Sequence, residues 1–235
     1  MSTFVLIHGA WHGGWCWKRV TPILRAAGHD VYAPSLTGAG ERKHLLSPSV
    51  GMDTYVSDIV NLVDYEELSD VVLVGHSAAG AAISKAAEAV QGRLKALVYV
   101  DSVVLPSGKS MFDVFPPQWV DQMRGAAARD NDGTAAPPEK QMIYSFFGSD
   151  CTDDDKAWLL RMATPQPLKP YEDKIDLSKF YDLDVSKTYI GCTQSQGGLP
   201  KDLAEKFGMR YVEMDSGHDP MVSCPEELAE ILLAV

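Results

Sequence analysis

The chain has 235 residues, 46 % hydrophobic and 23 % charged, which suits one globular domain with room for an insertion and excludes a disordered chain. Lysine and arginine total 21 against 32 aspartates and glutamates. The resulting net charge of −11 argues against nucleic acid or an anionic membrane as the main partner. No apolar run approaches the roughly 20 residues of a membrane span. The start, Met1-Ser2-Thr3, enters an apolar segment without a basic stretch or a small-residue cleavage site, so no signal peptide is read. Cys16, Cys151, Cys192 and Cys224 are scattered without a CxxC pair and read as reduced thiols of a cytoplasmic protein.

In chain order, Phe4 to Ile7 is a continuous apolar strand, and Trp17 to Ala27 reads as a helix stopped by Gly28. Asp30 to Ala33 is a second strand, closed by Pro34. Tyr55, Ile59, Leu62 and Val63 fall on one helical face. Val71 to Val74 is a third strand, Ala79 to Val90 an alanine-rich helix, and Ala96 to Val100 a fourth strand. From Pro106 to Pro170, which holds eight of the 14 prolines, no strand period is evident, and the stretch reads as an irregular, mostly helical insertion. The alternation returns with a strand at Thr188 to Cys192 and a helix opened by Pro200 and ended by Gly208. A last strand follows at Arg210 to Met214. Pro225 then opens a final helix whose Leu228, Ile231 and Leu232 face inward.

Strand–helix alternation with strands that are apolar throughout means a parallel sheet covered on both faces. The expected architecture is α/β, with about six mostly parallel strands. Residues 1–105 and 181–235 form the core, and 106–180 a helical cap over the carboxyl edge of the sheet, where open α/β folds bind ligands.

The most informative stretch is Val71-Val72-Leu73-Val74-Gly75-His76-Ser77-Ala78-Ala79-Gly80. An apolar strand ends in Gly-x-Ser and a helix begins at once, the context of a nucleophile elbow. The last glycine of the usual G-x-S-x-G is Ala79 here, with Gly80 one place later. Phe4-Val5-Leu6-Ile7-His8-Gly9-Ala10-Trp11-His12-Gly13-Gly14-Trp15 leads from a strand into a glycine-rich loop. The backbone N–H groups of Ala10 and Ala78 are the natural pair to hold an oxyanion. The loop lacks the lysine of a P-loop and the third glycine of a dinucleotide fingerprint. No carboxylate stands at ligand spacing beside His8 and His12, and no HExxH occurs, so neither a metal nor a cofactor is expected. Asp215-Ser216-Gly217-His218-Asp219-Pro220 follows the last strand and places His218 where a base can reach back to Ser77.

With FVLIHGAWHGGWCW, GHSAAG and SGHD in that order, the chain resembles the α/β-hydrolase superfamily. More narrowly, it is similar to the plant methylesterase and hydroxynitrile lyase family and its bacterial esterase relatives. The resemblance implies Ser77 as nucleophile, His218 as base, Ala10 and Ala78 as oxyanion amides, a helical cap and often a homodimer. In that family the acid follows the strand that here is Thr188 to Cys192. The residues present, Thr193-Gln194-Ser195-Gln196-Gly197-Gly198, include no carboxylate. Asp101, at the end of the Ala96–Val100 strand, is the expected acid, a placement resembling that of haloalkane dehalogenases and zearalenone lactonases.

The expected chemistry is serine hydrolysis of a carboxylic ester or lactone. Trp119, Met142, Phe146 and Trp158 of the cap are expected to line an apolar pocket for a small hydrophobic or aromatic substrate, part of the aromatic set serving as the cap's own core. Trp11 and His12 are expected at its entrance. A binding protein on the same fold, a carbon–carbon bond hydrolase and a hydroxynitrile lyase are the rival readings. The lyase is disfavoured because Asp219 stands where the plant lyases carry a lysine that holds cyanide.

Overall fold

Six apolar segments pair into one parallel sheet in the computed structural model, which describes residues 1–129, 134–135 and 140–235. The strands are β1 (Thr3–Ile7), β2 (Asp30–Tyr32), β3 (Val71–His76), β4 (Leu94–Val100), β7 (Ser186–Cys192) and β8 (Arg210–Met214), with β5 and β6 falling in the insertion. Their order is β2-β1-β3-β4-β7-β8, and every pairing is parallel. The strands read as unbroken apolar runs because both faces are covered. Val5, Ile7, Leu73, Leu97 and Tyr99 enter one core cluster, while Phe4, Leu6, Val72, Val74 and Val98 enter the other. The two-residue period of the strand thus divides one hydrophobic sequence between two cores.

Helices α1 (Val20–Ala26), α2 (Met52–Tyr65) and α3 (Ala79–Val90) connect the first four strands. The helix expected from Trp17 begins at Val20 instead, after a 3₁₀ turn at Gly14–Lys18. Pro22 has no N–H to continue a helix behind it and is tolerated only in the first turn. The helix after Pro200 is α8 (Lys201–Lys206), and Pro220 and Pro225 each open a helix, α9 (Pro220–Ser223) and α10 (Pro225–Leu233). On α10, Leu228 and Leu232 are buried and Ile231 only partly so.

Between β4 and β7 lie α4 (Pro117–Ala128), α5 (Lys140–Met142) running into a π-turn at Ile143–Phe147, α6 (Asp153–Met162) and α7 (Lys169–Glu172). A strand pair absent from the sequence reading also occurs there: β5 (Thr134–Ala135) runs antiparallel to β6 (Gln166–Pro167). Two-residue strands carry no hydrophobic period, which is why they are not legible. Residues 130–133 and 136–139 of the expected insertion lie outside the described residues.

Because β2 and β3 flank β1 on opposite sides, the connections after β1 and β3 leave the sheet in opposite directions. This is a topological switch point, where a crevice opens at the carboxyl ends of the strands. The Ala10 loop and Ser77 both emerge there.

Candidate active site

Ser77 follows β3 with φ +54°, in the left-handed region that favours glycine. Its surroundings hold it there. Its N–H donates to the Val100 carbonyl (3.1 Å), and its carbonyl accepts from Val103 N–H (2.9 Å) and from the Ser102 hydroxyl (2.6 Å). Asp101 and Trp11 share this backbone strain, with φ of +43° and +61°. Strained non-glycine residues that gather in one crevice point to a functional site. The close-approach glycine is Gly80 rather than residue 79, since a Cβ on Gly80 would lie 2.1 Å from the Val103 carbonyl oxygen. A Cβ on Gly9 would lie 2.7 Å from that of Ser77, so only glycine lets the first loop pass against the serine.

His218 Nε2 lies 2.9 Å from Ser77 Oγ, and its Nδ1 lies 2.5 Å from Asp101 Oδ2. A carboxylate only accepts, so Nδ1–H donates to Asp101 and Nε2 keeps a lone pair for the serine proton. Asp101 and His218 are buried while Ser77 is half-buried. Ser195 Oγ is 3.4 Å from the same Nδ1, but that hydrogen is already directed at Asp101, and Ser195 accepts from Gly197 N–H at 3.0 Å. A Cβ at residue 198 would lie 2.1 Å from Asp101 Oδ1, which explains the glycine there. Ala10 and Ala78 border one cavity, and neither N–H meets an acceptor among the described residues. Two free amides at the start of α3 and on the opposed loop suit a developing oxyanion.

The residues expected to line the pocket are distributed differently. His12 is buried, not at an entrance. Its Nδ1–H donates to the Ala10 carbonyl (2.6 Å) and its Nε2–H to Asp219 Oδ2 (3.0 Å). Trp11 stacks edge-on against Phe147, and Trp119 against Phe146 at a surface position 37 % exposed. Met142 packs at the edge of the second core cluster. Trp158 meets Trp15 edge-on at 5.0 Å, with the Arg19 guanidinium over its ring. Of these six, Phe146 comes to the His218 ring, with centroids 4.5 Å apart. None of the six borders the cavity beside Ala10 and Ala78. Its walls include Leu36, Met52, Tyr55, Met111, Gln166 and Tyr171. The sequence reading missed these residues because they come from the loop after β2, from α2, from the stretch before α4 and from residues 166–171, far apart in the chain.

A second buried network lies behind the first. Asp219 is fully buried and faces His12 at 3.0 Å and His76 at 3.5 Å. Burial alone would lower the pKa of His12, but the charge and hydrogen bond of Asp219 override it and raise the pKa. Burial alone would raise that of Asp219, but His12 overrides it in turn and lowers it. Between pH 3.8 and 6.5 the pair is therefore an imidazolium and a carboxylate. It ties the Ala10 loop to the residue next to His218. His76 Nε2–H donates to the His218 carbonyl at 2.8 Å, and burial, with the charge of His218, pushes its pKa well down. His8 is neutral as well. Its Nδ1–H donates to the Gly9 carbonyl, its Nε2 accepts from Leu36 N–H, and burial pushes its pKa down to about 4. His76, His218 and Asp219 bring possible ligand atoms within 4.8 Å of one another. Both nitrogens of His218 are already engaged, so the set is a hydrogen-bond network. The available sequence signal for it was a carboxylate directly after His218 together with His12 in the glycine loop.

The model of the alpha/beta hydrolase family matches residues 4–231, and the chain belongs to that family. The chain is 35 % identical over 246 residues to a carbendazim hydrolyzing esterase of Nocardioides sp. (strain SG-4G), covering all of both proteins. It is 28 % identical to methylesterase 7 of Arabidopsis thaliana over 99 % of this chain and 95 % of that protein. Among solved structures it is similar to an extracellular alpha/beta-hydrolase from a Paenibacillus species, described as sharing structural and functional homology with tobacco salicylic acid binding protein 2. The TM-score is 0.91, with 27 % identity over 100 % of this chain and 98 % of that one. Within the family, the chain is a carboxylic ester hydrolase of the esterase type. Among the described residues no helix is long and apolar enough to cross a membrane, and the four cysteines are free thiols.

Proposed function

We propose that the chain hydrolyses a carboxylic ester or lactone of a compact hydrophobic or aromatic substrate through an acyl-enzyme on Ser77. The observation that carries this reading is the continuous hydrogen-bonded line from Asp101 through His218 to Ser77, at 2.5 and 2.9 Å. His218 Nε2 takes the hydroxyl proton as Ser77 Oγ attacks the carbonyl carbon. The Ala10 and Ala78 amides receive the oxyanion, and Asp101 holds the imidazole tautomer and offsets the imidazolium charge. Collapse of the tetrahedral species expels the alcohol, which takes the proton from His218. Water, deprotonated by the same nitrogen, then releases the acid and restores Ser77.

The apolar side chains of Leu36, Met52 and Met111 on the cavity wall support a hydrophobic acyl or alcohol group. Met111, Gln166, Pro170 and Tyr171 reach that cavity from the 106–180 segment, which supports its reading as a cap. The name methylesterase, carried by relatives, supports an ester of a small alcohol.

The test is turnover of p-nitrophenyl acetate, butyrate and octanoate by the wild type and by Ser77→Ala. Hydrolysis that favours the shorter esters and vanishes in the variant is expected. Turnover that survives in Ser77→Ala refutes the acyl-enzyme.

A further inference from the structure

Two phenol groups border the cavity beside the Ala10 and Ala78 amides, and neither has an acceptor for its proton among the described residues. Tyr171 is 2 % exposed, and its hydroxyl has no hydrogen-bond partner among the described residues. Tyr55 is 6 % exposed, and its oxygen accepts from Gln166 Nε2 at 2.6 Å. The orientation of that amide is fixed from the other side, because Trp11 N–H donates to Gln166 Oε1 at 3.3 Å. With its oxygen occupied as an acceptor, Tyr55 is left with its O–H hydrogen to give. The two hydroxyls are near enough to interact electrostatically, and burial raises the pKa of both, so each stays a neutral donor.

Buried polar groups are nearly always paired, and unpaired ones call for an explanation. Phenylalanine would fill the same apolar space at either position without a stranded donor. The other walls are Leu36, Met52, Met111 and Pro170. His8, also on the wall, is neutral with both nitrogens in use. The cavity wall is therefore largely apolar, without a cation, and two of its residues are phenols whose O–H hydrogens have no acceptor among the described residues. That chemistry rejects a carboxylate and accepts a neutral oxygen or ring nitrogen.

We infer that this cavity selects esters whose bound group carries a neutral hydrogen-bond acceptor, received by the Tyr171 hydroxyl with Tyr55 as the second donor. The inference rests on the acyl-enzyme reading and adds a substrate class to it. A substrate without the acceptor fills the space and leaves both donors buried and unpaired, which is how a polar site discriminates against an apolar isostere.

Matched esters test it. Methyl phenylacetate is compared with the three methyl pyridylacetate isomers for the acyl side. Benzyl acetate is compared with the three pyridylmethyl acetates for the alcohol side. In each series one ring CH becomes N without change of shape. kcat/KM is measured for wild type, Tyr171→Phe, Tyr55→Phe and Ser77→Ala, with circular dichroism to verify folding. The wild type is expected to favour at least one pyridyl isomer of one series by about tenfold, the value of one hydrogen bond. Tyr171→Phe is expected to cut that ratio to within about threefold, and Tyr55→Phe to lower it by less. Ser77-dependent turnover with no isomer preference in either series, or a preference kept in both phenylalanine variants, overturns the inference and leaves the acyl-enzyme standing. Inertness toward both series in a protein that hydrolyses p-nitrophenyl butyrate also overturns it. Turnover that survives in Ser77→Ala overturns the acyl-enzyme and the inference with it.

Discussion

Asp219→Leu removes a fully buried carboxylate, keeps its branching with methyls bulkier than the two oxygens, and leaves His12 facing an apolar side chain. Removing one partner of a buried ion pair costs about 3–5 kcal/mol. Here the loss is expected at the lower end, about 3 kcal/mol, because His12 can shed its proton and still donate Nδ1–H to the Ala10 carbonyl. Asp219→Asn is milder, about 1 kcal/mol, since a carboxamide N–H can donate to a neutral Nε2. The pH dependence has a definite sign. His12 has a raised pKa, so its contribution is complete below the ordinary 6.5 and is lost as pH climbs through the folded value. Asp219 has a lowered pKa, so its contribution is present above 3.8 and is lost as pH falls through its folded value. His76 and His218 also face Asp219 and add to the attraction when charged. The gap between wild type and Asp219→Leu is thus widest near about pH 6 and narrows on the alkaline side. Urea unfolding of both proteins at pH 6 and pH 9 measures it. A Leu variant within about 0.5 kcal/mol of wild type at pH 6, or a gap that widens with pH, refutes the ion pair.

Asp101→Asn is expected to cut kcat by about 10³–10⁴ through loss of the correct tautomer, while Ser195→Ala changes it by less than about threefold. Steady-state kinetics on p-nitrophenyl butyrate decides between them, and the reverse pattern moves the acid to the loop after β7. Gly80→Ala forces a methyl to 2.1 Å from the Val103 carbonyl and is expected to cost about 3 kcal/mol by urea unfolding; a variant as stable as wild type rejects the close approach. Trp158→Ala removes a ring that packs on Trp15 and Arg19. It should lower stability by about 2 kcal/mol and leave the acetate-to-octanoate ratio unchanged, so a shifted ratio returns Trp158 to the pocket. His8 must be neutral to keep both its bonds. Because its folded pKa is lowered, stability falls as pH drops from 6.5 toward about 4, and His8→Gln should flatten that part of the urea-derived profile.

The sequence by itself determined the strands, because a buried parallel strand is a local run of apolar residues. It determined the turn at Ser77, because Gly-x-Ser between a strand and a helix is a local requirement. It also located helix starts at Pro200 and Pro225, because a missing N–H is a property of one residue. Chain order pointed to Asp101, which stands at the end of the strand beside the nucleophile strand. Only the tertiary structure decided what meets across the crevice. His12 and Asp219 are 207 positions apart, and Tyr55 and Gln166 are 111 apart. No local period encodes such pairs. A histidine in a glycine loop looks equally suited to a pocket rim and to a buried ion pair until the last loop folds over it. The aromatic residues of the insertion show the same limit. Their apolar character assures burial against something, but the packing of α6 on the first loop, not composition, sends Trp158 to Trp15 and leaves the cavity wall to Tyr55 and Tyr171.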